Sequence, residues 1–306
     1  MNKCFSVIIP FYKGHIFYSD LIISIKKSIL DCDFKEIFFE IITIIDSMDT
    51  DYHVIHNKTL ECFSGLNNVK VVTKKNSENI GVAKSRNYGL SIATGNLIHL
   101  IDQDDTINPC FYSSIFTKSE FYNFFLVNGN VHYRDNKYNT HKLYYLKQKL
   151  SVNNLVGNDF IRSPGQVVFS KELISGIKFQ EPSTYKGADD RFFWLKIFFK
   201  YNDSIKPIYL NEVLYNAYIH DENYSSDQIN LRKSAIENWD IFIKENKPNK
   251  KLLKSINNDI LSLKFSANIK QSRIENLVGL YHRVIYFWDA NKIIRFIFKR
   301  LIFSFN

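Results

Sequence analysis

Four apolar runs punctuate the first third of the chain, and three of them stop at a proline or an acidic turn. Phe5 to Ile9 is β-rich and ends at Pro10, with Phe11-Tyr12-Lys13-Gly14 following as a loop. Ile37 to Ile45 ends at Asp46-Ser47-Met48-Asp49-Thr50-Asp51, Val69 to Thr73 comes next, and Leu97 to Ile101 ends at Asp102-Gln103-Asp104-Asp105. Between the first two runs Leu21, Ile22, Ile25 and Ile29 recur at helical spacing. Strands that are apolar throughout need cover on both faces, so these runs, separated by helical segments, predict a buried parallel sheet with helices on each side. The polar stretch Tyr133 to Asn154 predicts an excursion out of the core, and Asn246-Lys247-Pro248-Asn249 a soft boundary before helical, basic sequence.

A chain of 306 residues has room for one large α/β domain with an appendage, or two medium domains. With 45% hydrophobic and 23% charged residues it is globular rather than disordered or collagenous. No window of about 20 apolar residues predicts a spanning helix. Met1 to Pro10 lacks a small-residue cleavage site and does not read as a signal peptide. Cys4, Cys32, Cys62 and Cys110 have no metal-type spacing and are expected to be buried thiols in a reducing compartment. Net charge is +9, and residues 241–306, with 13 Lys/Arg against 4 Asp/Glu, carry all of it. A neutral body with a basic tail suggests an anionic surface, either a membrane or a polyanion.

In open α/β sheets ligands bind beyond the carboxyl ends of the strands. Two of those ends, after Ile45 and after Ile101, are loaded with carboxylates. Asp102, Asp104 and Asp105 repel one another unless a cation intervenes. Hard oxygen ligands suit Mg²⁺ or Mn²⁺, held by one or two carboxylates and substrate phosphates. An isolated cluster of this kind would be a solvated turn; its place after a buried strand favours the site.

Asn79-Ile80-Gly81-Val82-Ala83-Lys84-Ser85-Arg86-Asn87-Tyr88-Gly89-Leu90 and Ala93-Thr94-Gly95 complete an ordered series with Ser6 to Tyr12, Ile44-Ile45-Asp46 and the acidic turn. Over about residues 3 to 220 this series resembles the family 2 glycosyltransferases, inverting enzymes of the GT-A fold that use nucleotide sugars. The resemblance implies that Pro10, Phe11, Tyr12, Asp46 and Ser47 hold the base and ribose. It places Arg86 near the base or diphosphate, and Asp102 and Gln103 on the donor. It implies Asp102, Asp104 and Asp105 as metal ligands, with His220 reaching the metal or diphosphate. Where the family usually has Asp-Asp-Gly-Ser this chain has Asp46-Ser47-Met48-Asp49, so the side chain that reads the base is left open. In Lys186-Gly187-Ala188-Asp189-Asp190-Arg191 the paired acids open an apolar helical pattern. The resemblance makes Asp190 the general base with Asp189 supporting it, and a one-residue shift would exchange them. Ser163-Pro164-Gly165-Gln166 resembles the acceptor-side segment of bacterial capsule and lipopolysaccharide members.

The expected organisation is a catalytic domain over 1–225, with a nucleotide-sugar half over about 1–106 and an acceptor half over about 107–225. A helical, basic region follows over 226–306. The expected activity is inverting, metal-dependent transfer from a nucleotide sugar, a UDP-sugar first, to a bacterial surface glycan or lipid-linked glycan. Nucleotidyl transfer is the alternative enzyme class, but it wants a Gly-rich, basic loop after the first strand, and Phe11-Tyr12-Lys13-Gly14 is sparse. A non-catalytic membrane-surface protein is the alternative outside enzymes, suggested by the tail alone. At about 100° per residue, Lys292, Arg295, Lys299 and Arg300 share one face of a helix, opposite Ile293, Ile294, Ile297, Phe298 and Leu301. Lys292 to Phe303 is therefore expected to lie on an anionic membrane, placing the protein at the cytoplasmic face of the plasma membrane, with nucleic acid the weaker use of the charge.

Overall fold

The structure, a computed structural model, describes residues 3–32, 37–133, 136–142 (backbone only), 149–157, 161–182, 184–219 and 227–267, together with 269, 275, 277 and 280. Two compact units emerge. The first comprises residues 1–150, 161–179 and 200–221, and the second 151–160, 180–199 and 222–306.

The first unit opens as an alternating series: β1 (Lys3–Phe11), α1 (His15–Asp31), β2 (Ile37–Ile45), α2 (Tyr52–Phe63), β3 (Val69–Lys75), α3 (Val82–Ile92) and β4 (Leu97–Leu100). It continues with β5 (Thr106–Ile107), α4 (Phe111–Phe116), β6 (Phe124–Tyr133) and β7 (Asn136–Lys142). After α5 (Val152–Gly157) of the second unit come β8 (Val167–Ser170), α6 (Asp189–Lys200) and β9 (Pro207–Ile219). Among the described residues one sheet runs β3-β2-β1-β4-β8-β6-β9-β5, with β7 added to β6. The pairs β3-β2, β2-β1 and β1-β4 are parallel, as expected, but β8 joins antiparallel to β4 and to β6. The sheet is mixed α/β, and its parallel run β3-β2-β1-β4 is the part that the apolar runs of the sequence describe.

Alternation along β1 sets the two faces. Phe5, Val7, Ile9 and Phe11 share one buried cluster with Tyr18, Leu21, Ile22, Ile25 and Ile29 of α1, Ile55 of α2, and Phe111 and Tyr112 of α4. Ile8 points the other way, toward Gly89 of α3. Helices thus cover both sides of the strand, which is why every residue from Phe5 to Phe11 is buried, Ser6 included.

Pro10 does not end β1; the strand runs on to Phe11. The Ile8 carbonyl accepts from Ile101 on the β4 side and the Phe11 carbonyl from Asp46 on the β2 side. By alternation, the missing N–H of Pro10 falls on the β4 side, beyond the last β1-β4 pair at Ile8 and Leu100. The polar stretch after Tyr133 is in part sheet, since β7 pairs with β6. The cysteines are free, with Cys110 exposed and the other three half-buried, so the expected full burial is corrected.

In the second unit α6 is followed by α7 (Gln228–Asn246) and α8 (Lys250–Ser266). Helix α6 buries Phe192, Phe193, Trp194, Leu195, Ile197 and Phe198, and a helix this apolar must be surrounded. Asp227 caps α7 by accepting from Asn230 N, and Asn249 caps α8 by accepting from Leu252 N. The stretch Asn246 to Asn249 is the turn between these helices, closed by Lys247 in the left-handed region (φ 47°). The expected domain division at 225/226 separates α6 from α7 and α8, whereas the compact grouping unites most of α6 with them. No helix among the described residues is long and apolar enough to cross a membrane. The expected amphipathic helix at 292–303 lies outside the described residues.

Candidate active site

The parallel strands deliver three loops to one edge of the sheet. Asp46, just beyond β2, is 5% exposed, and the protein itself engages its carboxylate. Oδ1 accepts from Asn76 Nδ2 (2.8 Å) and Ile80 N (2.9 Å), and Oδ2 from Gly81 N (2.8 Å). Asp46 therefore shapes the turn into α3, the helix that carries Arg86. Next to it Ser47 is 2% exposed, and its hydroxyl has no hydrogen-bond partner among the described residues. A buried hydroxyl in that state costs about 1–3 kcal/mol unless a ligand or water satisfies it. Lys75 Nζ closes the loop from below by donating to the carbonyls of Met48 (3.0 Å) and Thr50 (2.8 Å).

Arg86 lies on the buried side of α3, stacked 5.4 Å over the Phe179 ring. Its Nη2 donates to Asp102 Oδ1 at 2.7 Å, with the Arg side chain 7% and the Asp side chain 31% exposed. One carboxylate of the acidic turn is thereby partly neutralised, and the pair presents a cation and an anion together.

Gln103 faces back into the protein. Its Nε2 donates to the Tyr12 carbonyl and its Oε1 accepts from Tyr12 N, both at 2.8 Å. The side-chain amide thus mimics a strand partner and clasps the loop after β1 to the acidic turn. Gly14 permits this, because a Cβ there would stand 2.2 Å from Gln103 Cδ. Tyr12, 47% exposed, is held by its backbone and keeps its ring at the surface. Of the residues expected around the base, Pro10 and Phe11 are buried strand residues, Phe11 inside the core cluster.

Asp105 is buried, and both of its carboxylate oxygens are occupied: the Tyr215 hydroxyl donates to Oδ2, and Tyr218 N to Oδ1 at 3.0 Å. Burial first, then the charges of Asp104 and Asp102, pushes its carboxyl well above the usual carboxylate range. Asp105 thus ties the acidic turn to β9. Ser163 Oγ lies 2.6 Å from the same phenol oxygen, so the Ser163 to Gln166 turn joins the network. His99 adds a further link, with Nδ1 3.0 Å from the Tyr112 hydroxyl and Nε2 3.0 Å from the Gly165 carbonyl. His99 and Tyr215 are members of this network that the motif series does not include. His99 stands alone in the apolar run Leu97 to Ile101, which is a signal; Tyr215, one of three tyrosines in the mixed strand β9, carries none. His220 lies outside the described residues. Among the described residues no three His, Cys, Asp or Glu side chains form a group suited to hold a metal ion. The other carboxylates of the acidic turn are Asp102, paired with Arg86, and Asp104; two carboxylates are too few for a protein cage, so an ion there would need a ligand's own phosphates.

Asp189 and Asp190 belong to the second unit, in the first turn of α6, where negative charge suits the helix dipole. An oxygen of the Asp190 carboxylate accepts from Arg191 N at 2.7 Å.

A profile described as glycosyl transferase family 2 matches residues 6–177. Solved structures with the same fold include S. aureus TarS 1-349 in complex with UDP-GlcNAc (TM-score 0.64, 19% identity, covering 91% of this chain and 79% of that one). The chain covers 47% of the longer S. aureus TarS (19% identity, TM-score 0.59). The mannosyltransferase PcManGT from Pyrobaculum calidifontis, in complex with GDP-Man and Mn²⁺, is 14% identical with a TM-score of 0.53, covering 97% of this chain and 84% of that one. No curated protein sequence matches.

Proposed function

The chain belongs to glycosyl transferase family 2, and from that premise we propose that it transfers a sugar from a UDP-sugar to a hydroxyl of a bacterial surface glycan, with inversion at C1. The observation that carries the donor half is the Arg86–Asp102 ion pair beyond the carboxyl ends of the parallel strands, which sets a cation beside a part-exposed carboxylate of the acidic turn. UDP-GlcNAc bound to TarS, a protein of the same fold, supports the choice of UDP.

Arg86, already turned to the edge of the sheet by Asp102, is suited to bridge phosphate oxygens of the donor. Asp102 and Asp104 would hold Mn²⁺ or Mg²⁺, which supplies charge neutralisation for the departing diphosphate; the Mn²⁺ in PcManGT supports this. Asp105 keeps the turn in place from behind, and Gln103 fixes the loop from which the Tyr12 ring projects. Asp190 takes the proton of the acceptor hydroxyl as that oxygen attacks C1 opposite the diphosphate, with Asp189 in support. A lipid-linked glycan at a membrane surface is the acceptor that would give the basic tail a purpose.

Calorimetry with UDP, GDP, CMP and dTDP, each with and without Mn²⁺, tests the donor half. UDP is expected to bind tightest and only weakly without the ion. Binding of none of the four, or equal binding with and without Mn²⁺, would overturn it.

A further inference from the structure

The acidic pair at the start of α6 is held on both sides by the helices that follow the catalytic sequence. Upstream, Gly187 (φ +110°) and Ala188 (φ +55°) both sit in the left-handed region, which disfavours a residue with a Cβ such as Ala188. Such a conformation persists only where the surroundings impose it. Helix α7 imposes it. Ser234 Oγ donates to the Gly187 carbonyl at 2.6 Å, and a Cβ on Gly187 would meet Leu231 Cδ1 at 2.5 Å. One turn further along α7, Glu237 Oε2 accepts from Tyr185 N at 3.3 Å, and Lys233 Nζ lies 5.0 Å from the centre of the Tyr185 ring.

Downstream, Arg191 turns into the second unit. Its Nη2 donates to the Val156 carbonyl of α5 (2.6 Å) and to Asp259 Oδ2 of α8 (2.7 Å). Trp239 Nε1 of α7 donates to the same Asp259 oxygen at 2.7 Å, and the guanidinium lies 5.5 Å from the Trp239 ring centre. A buried Arg–Asp pair adds little stability over apolar side chains of the same volume, because both charges lose their water. What charge and shared hydrogen bonds do add is a single orientation of the residue next to Asp190.

We propose that Ser234 and Asp259 are positioning residues for the Asp189–Asp190 pair, so that α7 and α8 belong to the transfer machinery and are not an appendage to it. Ser234 fixes the backbone entering the pair, and Asp259, through Arg191, fixes the backbone leaving it. The inference rests on the reading of Asp190 as general base.

The test uses the full chain. Ser234→Ala and Asp259→Asn are measured for UDP affinity with Mn²⁺ and for kcat and KM of transfer, each alone and combined with Asp190→Asn. Each single variant is expected to lose at least about tenfold in kcat while UDP affinity and KM stay within about twofold. Added to Asp190→Asn, neither should lower the remaining rate further, because the group they act through is gone. Unchanged kcat in both single variants, or the same fractional loss with and without Asp190, would overturn the positioning role and leave the two residues to stability alone. If Asp259→Asn fails to fold, seen as lost UDP binding, Ser234→Ala, which removes a single oxygen, decides by the same criteria. Asp190→Asn transferring at the normal rate is a separate outcome: it overturns the base assignment first, and this inference with it.

Discussion

His99 makes the stability of the first unit depend on pH in a calculable way. The imidazole is fully buried between the Tyr112 hydroxyl and the Gly165 carbonyl, and burial pulls its pKa from 6.5 down to about 4, with the Gly165 contact opposing. The unfolded chain therefore binds this proton more readily than the folded one. The contribution is fully present above pH 6.5 and is lost as pH falls toward 4. At 1.36 kcal/mol per pKa unit, acidification from pH 7.5 to 4.5 removes about 2.5 kcal/mol. Asp105, with its carboxyl raised, works in the opposite sense at the acid end, favouring the fold below the ordinary carboxylate pKa. Subtracting a variant's curve cancels that term. His99→Phe keeps the ring volume and its stacking on Phe111 but leaves the Tyr112 hydroxyl and the Gly165 carbonyl unpartnered on that side, at about 1–3 kcal/mol for each group. Urea unfolding of both proteins at half-unit steps from pH 7.5 to 4.5 should show His99→Phe less stable at neutral pH, with the gap closing by about 2.5 kcal/mol on acidification. Parallel curves across that range would refute the reasoning.

Three further outcomes are expected. Asp104→Ala should abolish the Mn²⁺-dependent part of UDP binding in calorimetry while the melting temperature shifts little, and unchanged ion dependence would count against the acidic turn as the metal site. Gln103→Ala removes two neutral hydrogen bonds from the loop clasp, about 0.5–1.5 kcal/mol each; UDP affinity should weaken about fivefold and amide exchange at Tyr12 should quicken, and no change in either would separate the clasp from the donor site. Deleting Ile293 to Asn306 removes Arg295, Lys299 and Arg300, each contributing about 1 kcal/mol at an anionic leaflet. The truncated protein should stay in the supernatant when low-salt anionic vesicles are sedimented, and equal sedimentation would refute the anchor.

The parallel half of the sheet and its family were legible from residue order, because a strand buried on both faces is apolar at most positions and the acidic or polar turns that end it are local. Residues 5–9, 37–45 and 97–101 carry that requirement with few polar exceptions, whereas 69–73, at the sheet's edge, is buried only at Thr73 and was legible by its β-branched residues alone. The antiparallel partners β8 and β6 were hidden, since which edge a short apolar strand joins is set by pairing across the whole sheet.

The roles within the acidic turn were likewise beyond local reading. Asp102, Asp104 and Asp105 are equivalent as letters. Tyr215, 110 positions away, makes Asp105 an inward-facing tie, and Arg86 makes Asp102 half of an ion pair. The motif series places Gln103 on the donor, and its bond to Tyr12, 91 positions away, is one that no local pattern announces. The break near residues 246–249 was visible as turn chemistry. Its meaning was decided by packing, for Arg191 meets Asp259 across 68 residues of chain. Sequence determines which segments leave water, since that depends on each side chain's own transfer from it. Which buried polar group satisfies which other is decided only when distant strands and helices meet, because each pairing needs a partner that the local chain does not contain.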